Sequence, residues 1–327
     1  MRKAEFEAYL RKRGFSDKVI KYSVGAVREL EGTLTWKLLN TVAVADLGVY
    51  IESLITRKRN SERRLVAIAR YFHVVGNNPA YIYLVSLIGP RGILPALEKR
   101  VASIAGEEAR ARVFQGIREP QLGSPPEAWS GMTKRVVERL ERQLPAPVCR
   151  KALAGNLHRV PLSAFREQKE LFAKSRGIDD FLKKIHERSV AEIESFMKAG
   201  RLWYEQEITP EVLALVRGNQ ELLSGVRQGD RIYMTKIPYA PKDWLVEKDP
   251  LRRRYLACHC PLARESIISG RERVSGTWCY CSAGFEKLLF DVVFGEEVEA
   301  EVLESVLAGD GRCRFAITIP EKYLKGR

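Results

Sequence analysis

The amino-acid sequence predicts an α+β protein, in which an all-helical N-terminal region is followed by a C-terminal antiparallel sheet with packed helices. Through roughly the first 200 residues, apolar side chains recur at the spacing of one helix face. After that point, short strand-like runs are separated by glycine-containing turns. A chain of 327 residues also exceeds what one hydrophobic core usually serves. We therefore expect helical regions at 1–90 and 91–199 and an α+β cysteine-rich domain at 200–327.

Helix signals dominate the first two regions. Apolar spacing predicts four helices between residues 3 and 75, with Ser16 placed to cap the second and Asn60 or Ser61 placed to cap the fourth. The region 91–199 continues helical and is broken by glycine and proline. The Gly-Ser-Pro-Pro stretch at 123–126 is the strongest of these breaks, and we expect a hinge there.

The C-terminal domain is predicted to alternate strands with helices. The strand-like runs are 231–239, 254–260, 277–281, 298–306 and 312–319. The helical runs are 210–223, 262–268 and 285–294. Gly284 is expected to allow a tight turn from strand to helix. Short strands with intervening helices favour an antiparallel sheet covered by helices on one side.

The charge of the chain is positive and unevenly distributed. The net charge is +14, and residues 1–100 hold 18 Lys and Arg against 9 Asp and Glu. Such a basic region can attract nucleic acid, although a basic solvated surface has the same composition. The N-terminus lacks the apolar run of a signal peptide, and the most apolar segment, 80–88, is too short to cross a bilayer. We expect a cytoplasmic protein with no membrane partner.

Five of the six cysteines lie in the last 70 residues, in two C-x-C pairs and a single later position: Cys258, Cys260, Cys279, Cys281 and Cys313. Without a secretory signal, this grouping favours metal or thiol chemistry over disulfides. If the pairs lie in strands, the two sulfurs of each pair point to the same face. The remaining cysteine, Cys149, is expected to be a packing residue.

Three chemistries fit such a patch of thiols. Four thiolates could bind zinc or another thiophilic metal in a closed site. Three thiolates with an open position, or with Glu301 or Glu304 as the fourth ligand, could serve a small-molecule pocket. Alternatively, one thiol activated by His259, Arg264 or Arg314 could act as a nucleophile. A core of small unreactive thiols is the remaining interpretation.

Aromatic residues are frequent near these cysteines and could line a small-molecule pocket. The candidate ligand-binding residues are Trp203, Tyr239, His259, Trp278, Tyr280 and Phe285. Each is also an ordinary core residue type. His158 and His186 lie far from the cysteines in sequence, and we expect them to be packing or surface residues.

Residues 3 to about 90 resemble the helical core-binding domain of tyrosine recombinases. The similarity is carried by Phe6-x-x-Tyr9-Leu10, Asp46-Leu47-x-x-Tyr50-Ile51, Ser61-x-x-Arg64-Leu65 and Ala67-Ile68-x-x-Tyr71-Phe72. The recombinase catalytic half is not recognisable, so recombination is not implied. DNA is the partner that the resemblance implies, with phosphate contacts from Arg57, Lys58, Arg59, Arg63 and Arg64.

A second resemblance covers roughly 180–320. The ending Gly309-Asp310-x-Arg312-Cys313-Arg314-Phe315 is similar to that of 4-vinyl-reductase type small-molecule-binding domains. The resemblance implies zinc held by Cys313, by Glu301 or Glu304, and by Cys279 or Cys281. This chain departs from the sensor members at Ser305, where they carry a cysteine, and the pair at 258 and 260 could replace that ligand. Phrases such as Trp278-Cys279-Tyr280-Cys281-Ser282-Ala283-Gly284-Phe285 also resemble an uncharacterised bacterial family labelled by similarity to L-2-amino-thiazoline-4-carboxylate hydrolases.

These observations lead to a first hypothesis: a sensor of a small molecule, metal or thiol state with a DNA-binding helical module. The alternative is a cysteine- or zinc-dependent hydrolase acting on a small molecule, with His259 or His186 as general base. A third is an adaptor in which the metal has only a structural role. The sequence allows a homodimer and does not identify the ligand.

Overall fold

The computed structural model describes residues 1–35 and 37–324 and confirms the α+β class. The helices are α1 Lys3–Lys12, α2 Asp17–Thr33, α3 Val44–Thr56, α4 Glu62–Val75, α5 Asn78–Ile88, α6 Ile93–Phe114, α7 Pro126–Gln143, α8 Ala146–Leu153, α9 Arg166–Ala173, α10 Ile178–Lys198, α11 Pro210–Arg217, α12 Pro241–Val246, α13 Pro250–Ala257, α14 Glu265–Ser269 and α15 Tyr280–Phe294. The strands are β1 Val226–Gln228, β2 Arg231–Thr235, β3 Ala300–Glu304 and β4 Arg314–Thr318. Short 3-10 helices cover Leu39–Thr41, Leu162–Phe165, Gly276–Cys279 and Glu321–Tyr323.

The chain divides into two compact units. The first comprises residues 1–91 and 119–129, and the second comprises 92–118 and 130–327. The first unit is helical, and its core is built from the apolar faces predicted from spacing, including Leu10, Val27, Leu65 and Phe72. Most of the region between 91 and 199 therefore folds in the same unit as the cysteine-rich segment.

Cap positions at the N-terminal helices follow the sequence. Ser16 and Ser61 occupy the N-cap positions of α2 and α4, although neither side chain accepts a capping hydrogen bond. The start of the 123–126 stretch, where a hinge is predicted, contacts other residues of the first unit. The carbonyl oxygen of Leu122 accepts a 2.9 Å hydrogen bond from the Asn60 side chain, and a Cβ on Gly123 would lie 2.5 Å from a methyl carbon of Ile51.

One stretch, Asn78–Phe114, is long and apolar enough to be considered as a membrane span. It is divided into α5 and α6 by a turn at residues 89–92. Ala80 and Leu84 in α5 and Leu97 and Val101 in α6 are completely buried. The core helices of soluble proteins also have such buried positions, so this stretch by itself does not identify a membrane span.

The sheet has the strand order β1-β2-β4-β3, and every neighbouring pair is antiparallel. Ile232 and Met234 of β2 and Ile317 of β4 pack with Phe290 and Val293 of α15 in one core. Helix α15 therefore lies over one face of the sheet. The chain reaches the cysteine cluster just after the last residue of β2 and just before the first residue of β4.

Two predicted strands are absent from the structure: residues 254–257 belong to α13 and 258–260 to the loop after it, and residues 277–281 are helical. Asp249 caps α13 by accepting a 2.7 Å hydrogen bond from the Arg252 amide, and Pro250 supplies a fixed φ at the first helical position. Ser275 likewise accepts from the Thr277 amide at the start of the 3-10 helix that precedes α15. These local capping signals prevail over the strand tendency of the aromatic residues that follow them.

Candidate functional site

The five clustered cysteines come from three segments of the second unit. Cys258 and Cys260 follow the end of α13, Cys279 and Cys281 lie where a 3-10 helix passes into α15, and Cys313 directly precedes β4. All five are buried or nearly so, and all are free thiols. A loop, a helix N-terminus and a strand end thus meet in one place.

Hydrogen bonds connect the first two segments to each other. The indole Nε1 of Trp278 donates to Cys260 Sγ at 3.3 Å, which holds the α15 entrance against the loop after α13. His259 donates from Nε2 to the Ile237 carbonyl oxygen at 2.6 Å and so ties that loop to the chain after β2.

The third segment is held in the same way. Cys279 Sγ lies 2.9 Å from Ser305 Oγ. Ser305 is the position at which the sensor members of the 4-vinyl-reductase type domains carry a cysteine, and here it contacts one of the clustered thiols. The Lys236 amide donates to the Cys313 carbonyl oxygen at 2.9 Å, next to the bond that Ile237 makes with His259. The chain after β2 therefore contacts both the loop after α13 and the residue that precedes β4.

Four of the thiols are close enough to influence each other's ionisation in every pairwise combination. These four are Cys258, Cys260, Cys279 and Cys313, here called the cysteine quartet. Burial raises the pKa of each thiol in the quartet, and the neighbouring sulfurs raise the pKa of Cys258 and Cys279 further. The quartet is therefore protonated at neutral pH in the absence of a cation.

Cys281 lies apart from the quartet. The prediction that the sulfurs of each C-x-C pair share a face is wrong for 279 and 281, because two residues along a helix turn the side chain by about 200°. Cys279 contacts Ser305, whereas Cys281 Sγ lies 3.6 Å from Nε2 of His158. Burial raises the pKa of the Cys281 thiol, and among the quartet only Cys260 contributes to that rise.

Several N–H groups counteract the effect of burial on the quartet. The Trp278 indole and the backbone amides of Leu262 and Ala263 lower the pKa of Cys260. The Cys260 amide does the same for Cys258, and the Val306 amide does so for Cys313. N–H donors directed at sulfur stabilise thiolates and are characteristic of metal-bound cysteines.

Two cationic side chains lie beside the quartet. Lys236 is half-buried, and its Nζ lies 3.2 Å from a Glu286 carboxylate oxygen and 5.1 Å from the Phe285 ring centroid. Its charge lowers the pKa of Cys260, Cys281 and Cys313. The ammonium group of Lys236 thus interacts electrostatically with one carboxylate and with three thiols.

Arg264 is the second cation. Its guanidinium carbon lies 4.5 Å and 4.8 Å from the ring centroids of Tyr239 and Tyr255. Among residues 1–35 and 37–324, no carboxylate lies within ion-pair distance of it, and its buried Nε has no hydrogen-bond partner. Burial opposes the charge of Arg264, but the neighbouring Tyr255, Tyr239, Cys258 and Glu265 outweigh it and raise the pKa of the guanidinium. The site therefore contains more positive charge than its carboxylates balance.

The predicted aromatic residues are divided among different environments. Trp278 and the Tyr239–His259 pair, with ring centroids 5.4 Å apart, adjoin the quartet. Trp203 packs in a core with Ile193 and Ile237. The remaining two lie on other faces: Tyr280 is 5.4 Å from the Arg150 guanidinium, and Phe285 is 42% exposed.

The histidines proposed as general bases are poorly suited to that role. Burial, with help from Lys236, lowers the pKa of His259 to about 3, and its Nε2 is already bound to a carbonyl oxygen. His186 lies 3.4 Å from the Arg217 carbonyl oxygen and 3.4 Å from Ser224 Oγ, not from a cysteine.

The acidic ligands implied by resemblance are engaged elsewhere. Glu301 forms a 2.6 Å ion pair with Arg231, and Glu304 forms one of 2.8 Å with Arg312. Within the described residues, no three His, Cys, Asp or Glu side chains are arranged to hold a metal ion as they stand. Metal binding by the quartet would therefore require its side chains to rotate.

The basic residues of the first unit differ in accessibility. Arg57, Lys58 and Arg63 are exposed, and Arg63 stacks at 3.8 Å over the Tyr22 ring. Arg64 is only 9% exposed and pairs with Glu29 at 2.6 Å, so it is placed for structure and not for phosphate contact. Arg59 is exposed but pairs with the same carboxylate at 2.9 Å.

Sequence reasoning missed Lys236 and the contact between His158 and Cys281. Lys236 lies within a predicted strand, where a lysine ordinarily faces solvent, and nothing in the sequence marks its place beside the cysteines. His158 is 123 residues from Cys281, and no motif spans that separation.

Comparison with known proteins adds one partial match. Residues 240–324 match the model of a family described as a family of unknown function, DUF6144. This segment contains all five clustered cysteines. No curated protein and no solved structure matches the chain.

Proposed function

We propose that the cysteine-rich unit is a sensor that binds a thiophilic metal ion, zinc being the reference case, through the cysteine quartet. The observation that carries the proposal is the hydrogen bond from the Trp278 indole Nε1 to Cys260 Sγ at 3.3 Å, within a cluster of free thiols. A neutral thiol is a weak acceptor and gains little from such a donor, whereas a thiolate gains substantially. This contact supports a role for the Cys260 sulfur in its ionised, ligating form.

Charge balance supports a ligand set of four thiolates. Four thiolates with a divalent cation carry a net charge of −2, which is costly in a buried site unless it is compensated. Arg264, which forms no ion pair with a carboxylate among the described residues, and Lys236, which pairs with Glu286, could provide that compensation. Removing either cation should weaken metal binding without removing a ligand.

The arrangement of the thiols without metal supports a sensing role. The quartet is protonated and is not closed around a common point, so binding must release protons and rotate side chains. Those side chains belong to the loop after α13, the start of α15 and the start of β4. The metal would thus draw together three separate segments of the chain.

The test is a titration of reduced, metal-free protein with Co²⁺, followed by competition with Zn²⁺. Tetrahedral thiolate coordination gives thiolate-to-cobalt charge-transfer and d–d absorption bands. Cys260→Ser should abolish these bands, while Cys149→Ser, a matched buried thiol outside the cluster, should retain them. Affinity should rise with pH, because each thiol that binds must first lose its proton. Binding that survives in Cys260→Ser, or no binding in the wild type, would refute the proposal.

We further propose that the helical first unit binds DNA through Arg57, Lys58 and Arg63. The support is their shared exposure in a region of net positive charge, close to the start of α4. Gel-shift titration over a range of salt should give a linear log–log dependence, and triple replacement by alanine should reduce its slope by about 3. Replacement of Lys3, Arg11 and Lys12 on α1 is the charge-matched control. An unchanged slope in the first variant would remove this half of the proposal.

We also propose a cytoplasmic location. Six free cysteines, several of them crowded together, are typical of a reducing compartment. Fractionation of cells that express the full chain tests this directly, and recovery of the chain in an oxidising compartment with its thiols paired would contradict it.

A further inference from the structure

We infer that Arg264, with the two tyrosine rings beside it, binds a small organic carboxylate, and that this ligand opposes metal binding by the cysteine quartet. The carboxylate site stands on the geometry around Arg264 alone. Its opposition to the metal rests on the proposed function.

Aromatic rings, and not a carboxylate, hold the guanidinium of Arg264. Its central carbon lies 4.5 Å from the Tyr239 ring centroid and 4.8 Å from that of Tyr255. Across residues 1–35 and 37–324 it forms no ion pair, and its Nε is shielded from solvent without a hydrogen-bond partner. A planar cation is thus fixed in orientation while part of its hydrogen-bonding capacity is unused.

The site can be reached from solvent. Arg264, Tyr239 and Tyr255 are each partly exposed, whereas the neighbouring Cys258 and Cys279 are buried. A small anion can therefore approach the guanidinium without entering the core.

Two carboxyl groups lie near the site, and neither occupies the guanidinium. Glu265 accepts a 2.6 Å hydrogen bond from the Tyr255 hydroxyl and stays beyond ion-pair distance of Arg264. Glu205 influences the ionisation of Tyr239, and burial raises the pKa of its carboxyl, which reduces its charge. An anion from solution would therefore supply the partner that Arg264 lacks.

The shape of the unpaired donor favours a carboxylate. A guanidinium presents N–H groups in one plane, and they match the two oxygens of a carboxylate. The rings of Tyr239 and Tyr255 restrict its rotation, so less freedom is lost on binding. The same rings can contact a flat apolar group attached to the carboxylate. Benzoate is the simplest compound with both features.

Arg264 also connects this site to the quartet. Burial raises the pKa of Cys258, and the charge of Arg264 acts in the opposite direction. A quartet of thiolates with a divalent cation carries a net charge of −2, which Arg264 helps to balance. A carboxylate bound to Arg264 removes that balance. By linkage, each ligand then weakens the binding of the other by the same factor.

Calorimetric titration of the reduced, metal-free, full-length protein with benzoate tests the site. Benzamide, which has the same shape and no charge, should bind at least about 10-fold more weakly. Arg264→Gln should weaken benzoate binding by at least about the same factor. Arg253→Gln is the matched control, because Arg253 also stacks on a ring, 4.1 Å from the Trp244 centroid, and should leave benzoate affinity unchanged. Equal wild-type affinity for the two compounds, or unchanged affinity in Arg264→Gln, would overturn the inference.

Arg264→Lys covers the case in which loss of the positive charge prevents folding, which urea denaturation would show. Lysine keeps the charge but not the planar array of donors, so benzoate should still bind more weakly than to the wild type. Wild-type affinity in this variant would contradict the assignment of the carboxylate to the guanidinium.

The antagonism is measured by titrating the wild type with Co²⁺ in saturating benzoate. The Co²⁺ affinity should fall at least about 5-fold, and benzamide should have no effect. An unchanged Co²⁺ affinity with benzoate bound would refute the antagonism. If the wild type binds no Co²⁺ at all, the proposed function and the antagonism fail together, while the benzoate titration decides the carboxylate site separately.

Discussion

Replacement of Gly284 by alanine tests the packing on which the placement of His158 depends. The added Cβ would lie 2.6 Å from the Ala154 carbonyl carbon, 2.7 Å from its oxygen and 2.8 Å from the Gly155 oxygen. All three are backbone atoms, so no side chain can rotate to relieve the overlap. Helix α15 or the segment after α8 must move.

The expected cost can be worked out from two opposing effects. Overpacking of a well-packed site costs about 3 kcal/mol at the upper end of the usual range, which three overlaps justify. Replacing glycine by alanine inside a helix returns about 1 kcal/mol. The net loss is therefore about 2 kcal/mol. For a unit of this size, that loss lowers the unfolding temperature by roughly 4–8 °C.

Gly25→Ala is the matched control. Gly25 lies inside α2, and a Cβ there would have nothing within 4 Å. The same substitution in the same type of element should therefore stabilise by about 1 kcal/mol. Urea denaturation and scanning calorimetry measure both variants. If Gly284→Ala equals or exceeds the wild type in stability, the close approach of α15 to residues 154–155 is incorrect.

Three further outcomes are expected. Lys287→Met should lower the free energy of unfolding, measured by urea denaturation, by about 3 kcal/mol. Lys287 is 2% exposed, and its loss removes the cation that lies 2.7 Å from the Asp291 carboxylate. A decrease below about 1 kcal/mol would contradict this. The bidentate Arg314 contact lowers the pKa of Glu221. The ionised carboxylate therefore stabilises the fold at pH values above its ordinary pKa of 4.5, and this stabilisation is lost as the pH falls through the lowered pKa. Glu221→Gln should reduce the loss of unfolding free energy at acidic pH, and an unchanged pH dependence of stability would refute the assignment. Arg64→Ala should destabilise the first unit, as seen by hydrogen exchange of its helices, whereas an effect only on DNA affinity would return Arg64 to the phosphate contacts.

Patterns with a short range in the sequence predicted most of the fold. The spacing of apolar residues located the helices of the first unit, because a helix face repeats within a few residues whatever surrounds it. Strands β2, β3 and β4 lie inside predicted runs for the same reason. The strands predicted at 254–260 and 277–281 were wrong, because capping by Asp249 and Ser275 starts helices that the composition of the following residues does not suggest.

The candidate site was predicted in part. Clustering of the five cysteines marked the correct segment, since thiols are scarce and their grouping is visible without coordinates. Their division into a quartet and a separate Cys281 was not predicted, because it depends on whether residues 279–281 form a strand or a helix. The accessibility of the basic residues also escaped prediction, since Arg63 and Arg64 are neighbours in sequence, yet only Arg63 is exposed.

The sequence by itself determined the α+β class, the positions of most helices, the basic character of the first region and the segment that holds the thiols. All of these depend on composition or on spacing over one or two helical turns. Only the tertiary structure brought His158 to Cys281, placed Lys236 and Arg264 beside the quartet and turned Cys281 away from it. Those contacts join residues far apart in the chain, and their energies arise only when packing removes water from between them.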